Sequence, residues 1–273
     1  MLPDGTTTPP AAAPRPTSGA GTVDVVIPVY NEEKILAQSI DTLVGFLREH
    51  VRLPCRVLIV DNASIDRTEE EGRRLSGNYA EVAYLRLPRK GRGGALMCAW
   101  SASTADFLTY MDVDLSTNLA ALPKMIDLLA SGYPLVIGSR LRSGAQTKRS
   151  LKREFLSRGY NLLVRLIFRT RFTDAQCGFK GLRREAALRL LPHVSDNRWF
   201  FDTELLVLAE RSGHPIGEVA VQWIEDLDSR VALLTTIVGD ILGLLRLRRE
   251  LDRKLALIGP FGGSAGGTAG RPA

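Results

Sequence analysis

The stretch F-L-T-Y-M-D-V-D, residues 107–114, is an apolar run that ends in two carboxylates one residue apart. Phe107–Met111 has the pattern of a buried strand bounded by polar residues. Because side chains two positions apart leave a strand in the same direction, Asp112 and Asp114 can present oxygens toward one point. Open α/β sheets bind ligands at the carboxyl ends of their strands. The pair therefore predicts a site for Mg²⁺ or Mn²⁺ bearing a diphosphate, with an acidic helix cap as the plainer alternative.

The composition is that of an ordinary globular protein of 273 residues, 45% of them hydrophobic and 24% charged, enough for one sizeable core. The formal net charge of +6 favours anionic partners, such as nucleotides, phosphates, nucleic acid or acidic lipid surfaces. The three scattered cysteines form neither a disulfide framework nor a metal-ligand spacing, which predicts a reducing, cytoplasmic environment.

Strand and helix patterns alternate regularly through the first half of the chain. This succession predicts an α/β protein with a mainly parallel sheet covered on both faces. The predicted strands are 23–29, 56–60, 82–87, 107–111 and 135–138, and the predicted helices are 32–49, 68–75, 94–103 and 119–129.

The second half is more basic. Residues 148–171 predict a cationic amphipathic helix, and residues 174–180 a polar loop that enters a short strand. A helix at 201–211, a strand at 216–223 and a closing helix at 231–255 follow. Residues 1–21 and 257–273 are predicted to be disordered tails. The sequence predicts neither a signal peptide nor a membrane-spanning helix.

Polar and aromatic residues follow the first two predicted strands. Tyr30 and Glu32 would offer an aromatic face and a carboxylate for a base and a ribose, while Asn31 is expected to cap the next helix and Pro28 to end backbone pairing. Asp61 can accept a hydrogen bond from a base N–H, or can simply close a turn.

The glycine-rich segment G-R-G-G-A, residues 91–95, precedes a predicted helix. Its glycines would let the backbone approach a ligand, and a helix N-terminus favours anions. The segment is neither a dinucleotide-binding fingerprint nor a P-loop, and a plain flexible turn is the alternative.

Short motifs recur along the chain in a fixed order. The first five are V-I-P-V-Y-N-E-E (26–33), V-D-N-A-S (60–64), G-R-G-G-A (91–95), D-V-D (112–114) and G-S-R (138–140). The later ones are D-A-Q-C-G-F-K (174–180), W-F-F-D-T-E (199–204), Trp223 and Ser229-Arg230.

In this order and spacing, the first five motifs resemble those of family-2 glycosyltransferases of the GT-A fold. The later motifs narrow the resemblance to polyprenyl-phosphate sugar synthases, nearest the dolichyl-phosphate glucosyltransferase branch. The resemblance implies a Rossmann-like sheet in a domain over residues 22–230, followed by an amphipathic helix over 231–256.

The resemblance implies inverting transfer of a hexose from a nucleoside diphosphate sugar, with UDP-glucose as the expected donor, to a polyprenyl phosphate. Metal on Asp112 and Asp114 would neutralise the leaving group. The implied catalytic residues are Asp112, Asp114, Arg140, Asp174 and Gln176. The implied nucleotide-sugar contacts are Pro28, Tyr30, Glu32, Asp61, Arg92 and Asp112. The candidates for the acceptor phosphate are Arg140, Arg153 and Arg230.

The chain departs from the family pattern at three positions. Asn62 stands where a second acidic residue is common, and Arg92 replaces the usual lysine of the glycine-rich segment. Ser116 occupies a position where mannosyl-transferring relatives often carry glutamine, which favours glucose over mannose.

Several alternatives stay open at this point. A GDP-mannose-dependent mannosyltransferase has the same motifs, and an enzyme with a sugar-hydroxyl acceptor would need Asp202 or Glu204 as a general base. A nucleotide-sugar binding protein without activity is a third hypothesis. We predict no nucleic-acid partner, since no recognition module is present. The basic helices predict peripheral contact with the cytoplasmic face of a membrane.

Overall fold

The computed structural model describes residues 21–148, 151–224 and 233–261, with the side chains of 148, 151–153, 224 and 233–237 left out. The strands are β1 (Val23–Val29), β2 (Cys55–Asp61), β3 (Val82–Arg86), β4 (Phe107–Met111), β5 (Leu135–Ser139), β6 (Gln146–Lys148), β7 (Phe179–Arg183), β8 (Ile216–Ala220) and β9 (Gln222–Ile224). The helices are α1 (Leu36–His50), α2 (Thr68–Asn78), α3 (Arg92–Ala102), α4 (Ala121–Ala130), α5 (Leu151–Phe168), α6 (Arg184–Leu190), α7 (Phe201–Arg211) and α8 (Leu233–Ile258).

Seven strands form one sheet in the order β3-β2-β1-β4-β7-β5-β8. All neighbours in it are parallel except β7, which runs antiparallel to both β4 and β5. β6 and β9 form a separate parallel pair. Because β7 is reversed, its first residues lie at the edge where β4 and β5 end. The carboxyl ends of the parallel strands and the segment that precedes β7 therefore meet at one edge.

Both faces of the sheet are covered, as successive buried residues of β1 show. Val25 packs in a cluster with residues of α1 and α4, whereas Val26 packs in a second cluster with residues of α3, α7 and α8. Strands buried on both faces read as continuous apolar runs, which is why their positions could be predicted. The structure confirms the predicted α/β class and the mainly parallel sheet.

Most predicted elements are present, with shifted ends. The predicted bounds of β1, β4 and α7 agree with the structure. The predicted strand at 216–223 is two strands, β8 and β9, and α6 was not predicted. The cationic helix spans Leu151–Phe168, and the closing helix continues to Ile258. Predictions for residues 1–20, 225–232 and 262–273 lie outside the described residues.

At the end of β1, the prediction for Asn31 was wrong, and the prediction for Pro28 was wrong on the side that faces β2. Asn31 does not cap α1, which begins at Leu36; it adopts a φ of 58° and its side-chain oxygen accepts a hydrogen bond from the N–H of Ile65 at 2.9 Å. Pro28 does not end pairing with β2, where the register continues to Val29 opposite Asp61. Pairing of β1 with β4 does stop before Pro28, at Val26. A proline lacks the donor for one neighbouring strand, but it leaves the other side of the strand intact.

Candidate active site

The carboxylates of Asp112 and Asp114 follow β4 at the carboxyl edge of the sheet. The backbone N–H of Asp112 donates to the carbonyl oxygen of Gly178 at 3.2 Å, and the Asp112 side chain is 42% exposed. Asp114 is exposed, and one of its oxygens accepts a hydrogen bond from the N–H of Ser116 at 3.0 Å. Partial desolvation raises the pKa of the Asp112 carboxyl, and the charge of Arg92 opposes that rise.

This donor set fits a magnesium or manganese ion that carries a diphosphate. Over residues 21–148, 151–224 and 233–261, no cluster of three or more His, Cys, Asp or Glu side chains is present that could enclose a metal. Two carboxylates with open oxygens suit Mg²⁺, which keeps several waters and takes its other ligands from substrate phosphates. Asp112 and Asp114 are therefore the residues that would hold such an ion.

Arg92 lies directly beside the pair. Its guanidinium donates to Oδ1 of Asp112 at 2.9 Å and to the hydroxyl of Tyr110 at 3.2 Å, and Nη1 is 3.5 Å from Oδ2 of Asp202. The ring of Trp199 stands 5.1 Å from the guanidinium carbon. Burial alone would lower the pKa of Arg92, but the nearby carboxylates, Asp112 first, raise it above its ordinary value. Arg92 therefore stays positively charged and partly neutralises Asp112, the carboxylate that would also bind a metal.

Asp202, at the start of α7, is buried in the same network. Its Oδ1 accepts a hydrogen bond from the Tyr110 hydroxyl at 2.7 Å and lies 3.2 Å from Nζ of Lys180. Lys180 is itself fully buried and donates to the carbonyl oxygen of Cys177 at 2.6 Å. Asp202 thus joins α7 to β4 and β7 between two cations. A carboxylate in this position is poorly placed to collect a proton from a substrate.

Glu204 diverges from Asp202 because both lie in a helix, and it is fully buried against α8. Nζ of Lys254 and Nη2 of Arg246 each lie 2.7 Å from its oxygens. The backbone N–H groups of Ser195 and Asp196 donate to the same carboxylate at 3.2 and 2.9 Å. Four donors saturate the group, so its contacts are those of an anchor between α7 and α8.

Arg140 and Asp174 form a bidentate pair on the other side of the edge. Nε and Nη2 of Arg140 donate to the two Asp174 oxygens at 2.7 and 2.9 Å, and the backbone N–H of Arg140 adds a third bond at 3.1 Å. Burial alone would raise the pKa of Asp174, but the charge and hydrogen bonds of Arg140 outweigh it and lower that pKa. The ring of Trp223 lies 5.4 Å from the guanidinium carbon. The pair is therefore charged and rigid.

Gln176 lies between Asp174 and Gly178 in the same loop. Its backbone N–H donates to Oδ1 of Asp174 at 3.3 Å, and its side-chain Nε2 donates to Oδ2 of Asp240 in α8 at 2.8 Å. Asp240 is only 4% exposed. Burial raises the pKa of Asp240 to about 6, and the hydrogen bond from Gln176 opposes the rise.

Asp61 ends β2 and is fully buried. Its Oδ1 accepts a hydrogen bond from the N–H of Ser64 at 2.8 Å, which is the turn-closing role that the sequence left open. Its Oδ2 accepts one from the hydroxyl of Tyr84 at 2.6 Å, and Nη1 of Arg86 lies 3.3 Å away. A base N–H would have to share an oxygen that already has these donors.

Tyr30 and Glu32 follow β1 at the same edge. Tyr30 is half-buried, and Nζ of Lys90 lies 3.5 Å from the centroid of its ring. The backbone N–H of Glu32 donates to the hydroxyl of Thr68 at 2.8 Å. Pro28 is partly exposed within β1. These residues lie at the carboxyl edge, beside the end of β2, as the nucleotide-sugar prediction requires.

The glycine-rich segment has a packing role that the sequence did not indicate. The N–H groups of Gly93 and Gly94 donate to the carbonyl oxygens of Arg198 and Asn197, at 3.2 and 2.9 Å. A Cβ at Gly93 would stand 2.5 Å from Phe201. These two N–H groups are thus engaged within the protein, and the expectation that they bind an anion needs correction; the cation that the segment supplies is Arg92.

The structure brings most of the predicted site residues to one edge. It adds residues that were not predicted: Tyr84 and Arg86 at the Asp61 carboxylate, Tyr110 and Lys180 in the buried network, and Asp240. Arg153 belongs to α5, but its side chain is outside the described part, and Arg230 lies in the segment 225–232 that the structure leaves out. Their assignment to the acceptor phosphate stays a prediction.

Gly178 is expected to be intolerant of a side chain. A Cβ there would stand 1.7 Å from Oδ2 of Asp112, so alanine must displace that carboxylate. We expect Gly178→Ala to lower turnover by about a hundred-fold, the cost of displacing a catalytic group by about 1 Å. Steady-state kinetics test this. Gly77→Ala is the matched control, because a Cβ at Gly77 meets nothing within 4 Å; equal activity of the two variants would contradict the prediction.

The fold is shared with glycosyltransferases of known structure. Glucosyl-3-phosphoglycerate synthase from Mycobacterium tuberculosis, in complex with UDP, superposes with a TM-score of 0.62 at 21% identity, over 84% of this chain and 80% of that one. A complex of the same enzyme with Mn²⁺, UDP and glucosyl-3-phosphoglycerate gives a TM-score of 0.61 at 20% identity, with the same coverage. The chain thus has the GT-A glycosyltransferase fold.

The chain belongs to the family described as glycosyl transferase family 2, whose sequence profile matches residues 24–191. Glycosyltransferase AglD of Haloferax volcanii is 35% identical over 258 residues, which are 91% of this chain and 41% of that protein. Dolichyl-phosphate beta-glucosyltransferase of Mus musculus is 34% identical over 218 residues, 74% of this chain and 67% of the mouse protein. The chain therefore spans about two fifths of the first relative and two thirds of the second.

Proposed function

We propose that this protein transfers a hexose, glucose from UDP-glucose, to a polyprenyl phosphate of the dolichyl type in a metal-dependent, inverting reaction. The relatives named dolichyl-phosphate beta-glucosyltransferase, at 29–34% identity, support the donor sugar and the lipid phosphate acceptor. UDP bound to the mycobacterial structural relative is consistent with a uridine nucleotide. Ser116 in place of glutamine also favours glucose over mannose.

The observation that carries this proposal is which carboxylates at the site are accessible and which are buried in ion pairs. Asp112 and Asp114 are accessible and fit a metal, whereas Asp202 and Glu204 are buried and ion-paired. An acceptor hydroxyl needs a base to remove its proton. A phosphate monoester has its second pKa at about 6 and is already largely ionised at neutral pH, so it needs none.

A metal on Asp112 and Asp114 would supply positive charge to the diphosphate leaving group. Arg92 adds a fixed positive charge 2.9 Å from Asp112, close to where negative charge develops as the glycosidic bond breaks. Arg140 is held by Asp174 in one orientation at the same edge of the sheet. Its task would be to place the acceptor phosphate, since a preorganised guanidinium binds phosphate oxygens bidentately.

A sugar-hydroxyl acceptor is the second candidate, and Asp202 is the residue that keeps it open. Its Oδ2 has Arg92 at 3.5 Å, and Arg92 would have to move for Asp202 to reach a substrate. The transfer assay separates the two candidates. The protein is incubated with UDP-glucose or GDP-mannose, Mn²⁺ or Mg²⁺, and either a short polyprenyl phosphate or a glucoside acceptor, and the products are identified by mass.

We expect glucosyl polyprenyl phosphate, formed from UDP-glucose and abolished by a chelator. Transfer to the glucoside alone, or product from GDP-mannose alone, would overturn the proposal.

A lipid acceptor requires contact with a membrane, and we propose that the protein binds its cytoplasmic face. Two neighbouring helices carry exposed apolar side chains that could make this contact. α5 and α8 pack against each other. Among the described residues, no helix is long and apolar enough to cross a bilayer. The exposed large apolar residues described on these helices are Phe155, Leu156, Leu162, Leu163 and Leu166 on α5 and Val238, Ile241, Leu242, Leu245 and Leu257 on α8. The exposed residues Arg248, Arg249 and Arg253 follow on α8, and basic residues beside an apolar face favour an anionic leaflet.

Membrane contact predicts that Leu242→Glu weakens sedimentation with phosphatidylserine vesicles by about ten-fold, because it buries a charge in the lipid interface. Binding of the parent protein should also fall with added salt. Leu188→Glu is the matched control, since Leu188 is similarly exposed but lies on α6. Equal vesicle binding of both variants, or no binding by the parent, would exclude the predicted surface.

A further inference from the structure

Asp240 is a buried carboxylate on the apolar helix α8 that none of the roles above requires. Its neighbours on the helix, Val238, Ile241 and Leu242, are exposed and apolar. Burying a carboxylate is costly unless it is paired, and the hydrogen-bond partner of this one in the described part of the chain is a neutral amide. A hydrophobic residue would pack at this position without that cost. The presence of a carboxylate at this position is therefore better explained by its effect on the residue to which it is hydrogen-bonded.

That partner is Gln176, in the loop that enters the site. The loop is fixed on both sides of Gln176: Asp174 is bonded to Arg140, and Gly178 lies against Asp112. The Gln176 backbone is thus held in place, while its side chain can still turn about its last bond. The amide has two faces, an N–H₂ group that donates and an oxygen that accepts, and rotation by half a turn exchanges them.

An ionised carboxylate has no proton to donate, so it accepts from Nε2 of Gln176 and repels Oε1. We propose that Asp240 is a positioning residue for the transfer reaction: by accepting from Nε2, it turns Oε1 of Gln176 toward the bound substrates as a hydrogen-bond acceptor for a sugar hydroxyl. This inference rests on the proposed function, because it assigns a task to Gln176 within that site. It also links α8, which carries the exposed apolar residues, to the loop of Asp174 and Gly178 at the site.

The protonation of Asp240 should control this orientation. A protonated carboxyl can donate to Oε1, which turns Nε2 toward the substrates and removes the acceptor. Among the residues whose side chains the structure describes, the charged and titratable groups that face Asp240 are Tyr160 from α5 and Asp196 from the segment before α7, and neither is a cation. With a pKa of about 6, Asp240 is ionised above that value. The productive orientation is therefore present above about pH 6 and is lost as the pH falls through it.

The test compares Asp240→Asn with the parent across the pH range. Asparagine is isosteric, does not titrate and can bond either face of the Gln176 amide. Ionisation of the acceptor phosphate affects both proteins equally, so it cancels in the ratio of their kcat/KM values. We expect the parent to exceed the variant about ten-fold near pH 8 and to match it within about two-fold near pH 5. A ratio that is constant across this range would overturn the inference.

A double-mutant cycle asks whether Asp240 acts through Gln176. In the Gln176→Ala background, Asp240→Asn should change kcat/KM by less than about two-fold, because the amide that it positions is absent. The same penalty in both backgrounds would overturn the inference and would indicate a structural role. Asp252→Asn, the same change at an exposed position of α8, is the matched control and should leave activity unchanged.

Gln176→Glu gives a second readout that does not depend on how well the Asp240 variants fold. Two facing carboxylates repel unless one is protonated, so this variant should gain activity relative to the parent as the pH falls. A pH dependence identical to that of the parent would overturn the inference. If the parent makes no lipid-linked product but glycosylates another acceptor, the proposed function fails, whereas the ratios measured with that acceptor still decide the role of Asp240.

Discussion

Replacement of Asp112 or Asp114 by alanine is expected to lower the rate of hexose transfer by about a thousand-fold or more, since the charge on the leaving group would lose its stabilisation. Both side chains are accessible, and Asp114 has a backbone N–H as its hydrogen-bond partner, so Asp114→Ala should change the free energy of unfolding little. Asp112→Ala also removes the carboxylate 2.9 Å from the buried Arg92 guanidinium, and it should lower the free energy of unfolding although Asp202 still faces that cation. Product formation by mass and thermal melting of each variant are the measurements.

Asp127→Ala is the matched control for this prediction, because Asp127 is exposed on α4, away from the edge that carries the site. It should retain full activity. A chelator should inactivate the parent, and added Mn²⁺ or Mg²⁺ should restore it. If the Asp112 and Asp114 variants transfer sugar at the parental rate, or the parent is active in chelator, the metal-dependent reaction proposed here is wrong.

Glu204→Gln is expected to produce the largest loss of stability, about 3–5 kcal/mol in the free energy of unfolding, because it leaves the buried Lys254 and the partly buried Arg246 without their counter-charge. Lys254 is only 4% exposed and Arg246 lies 2.7 Å from the same carboxylate. The loss should appear as a lower urea midpoint. α8 is held to α7 through this group, so its attachment should weaken first.

Two further variants separate this role from catalysis. Glu250→Gln also removes a carboxylate near Lys254, but Glu250 is 30% exposed and should cost no more than about 1 kcal/mol. Lys254→Met added to Glu204→Gln should recover part of the stability, since it removes one unpaired charge. A Glu204→Gln protein with parental stability and no activity would instead make Glu204 a catalytic base and would favour a hydroxyl acceptor.

The sequence was most informative for residues whose place at the site is set by the strand that immediately precedes them. Phe107–Met111 is buried on both faces and reads as one apolar run, so the position of Asp112 and Asp114 at its end could be predicted. The same holds for Val23–Val29. Local patterns could not show that β7 is antiparallel to its neighbours, because the sequence of its five residues does not indicate in which direction the strand runs.

Contacts between distant segments were beyond prediction for the same reason. Asp240 is 64 positions from Gln176, and the two meet through the packing of α8. Glu204 looked like a possible base because a motif records which residues are present and not what surrounds them. Its saturation by Lys254 depends on a helix that begins about thirty residues later. The glycines of the 91–95 segment were likewise interpreted as ligand-facing, although the segment around Asn197 packs against them.

The reversed strand β7 has a consequence for how this scaffold can diversify. Parallel strands deliver to the cleft the residues that come after them, whereas β7 delivers those that come before it, Asp174 to Gly178. The residues at the ends of β1 and β2, proposed to bind the nucleotide, and the residues before β7 therefore come from separate segments of the chain. One set follows its strands and the other precedes its strand. Replacing residues 169–178 by the corresponding segment of a relative would therefore change the residues opposite the nucleotide-binding side, while the ends of β1 and β2 keep their geometry.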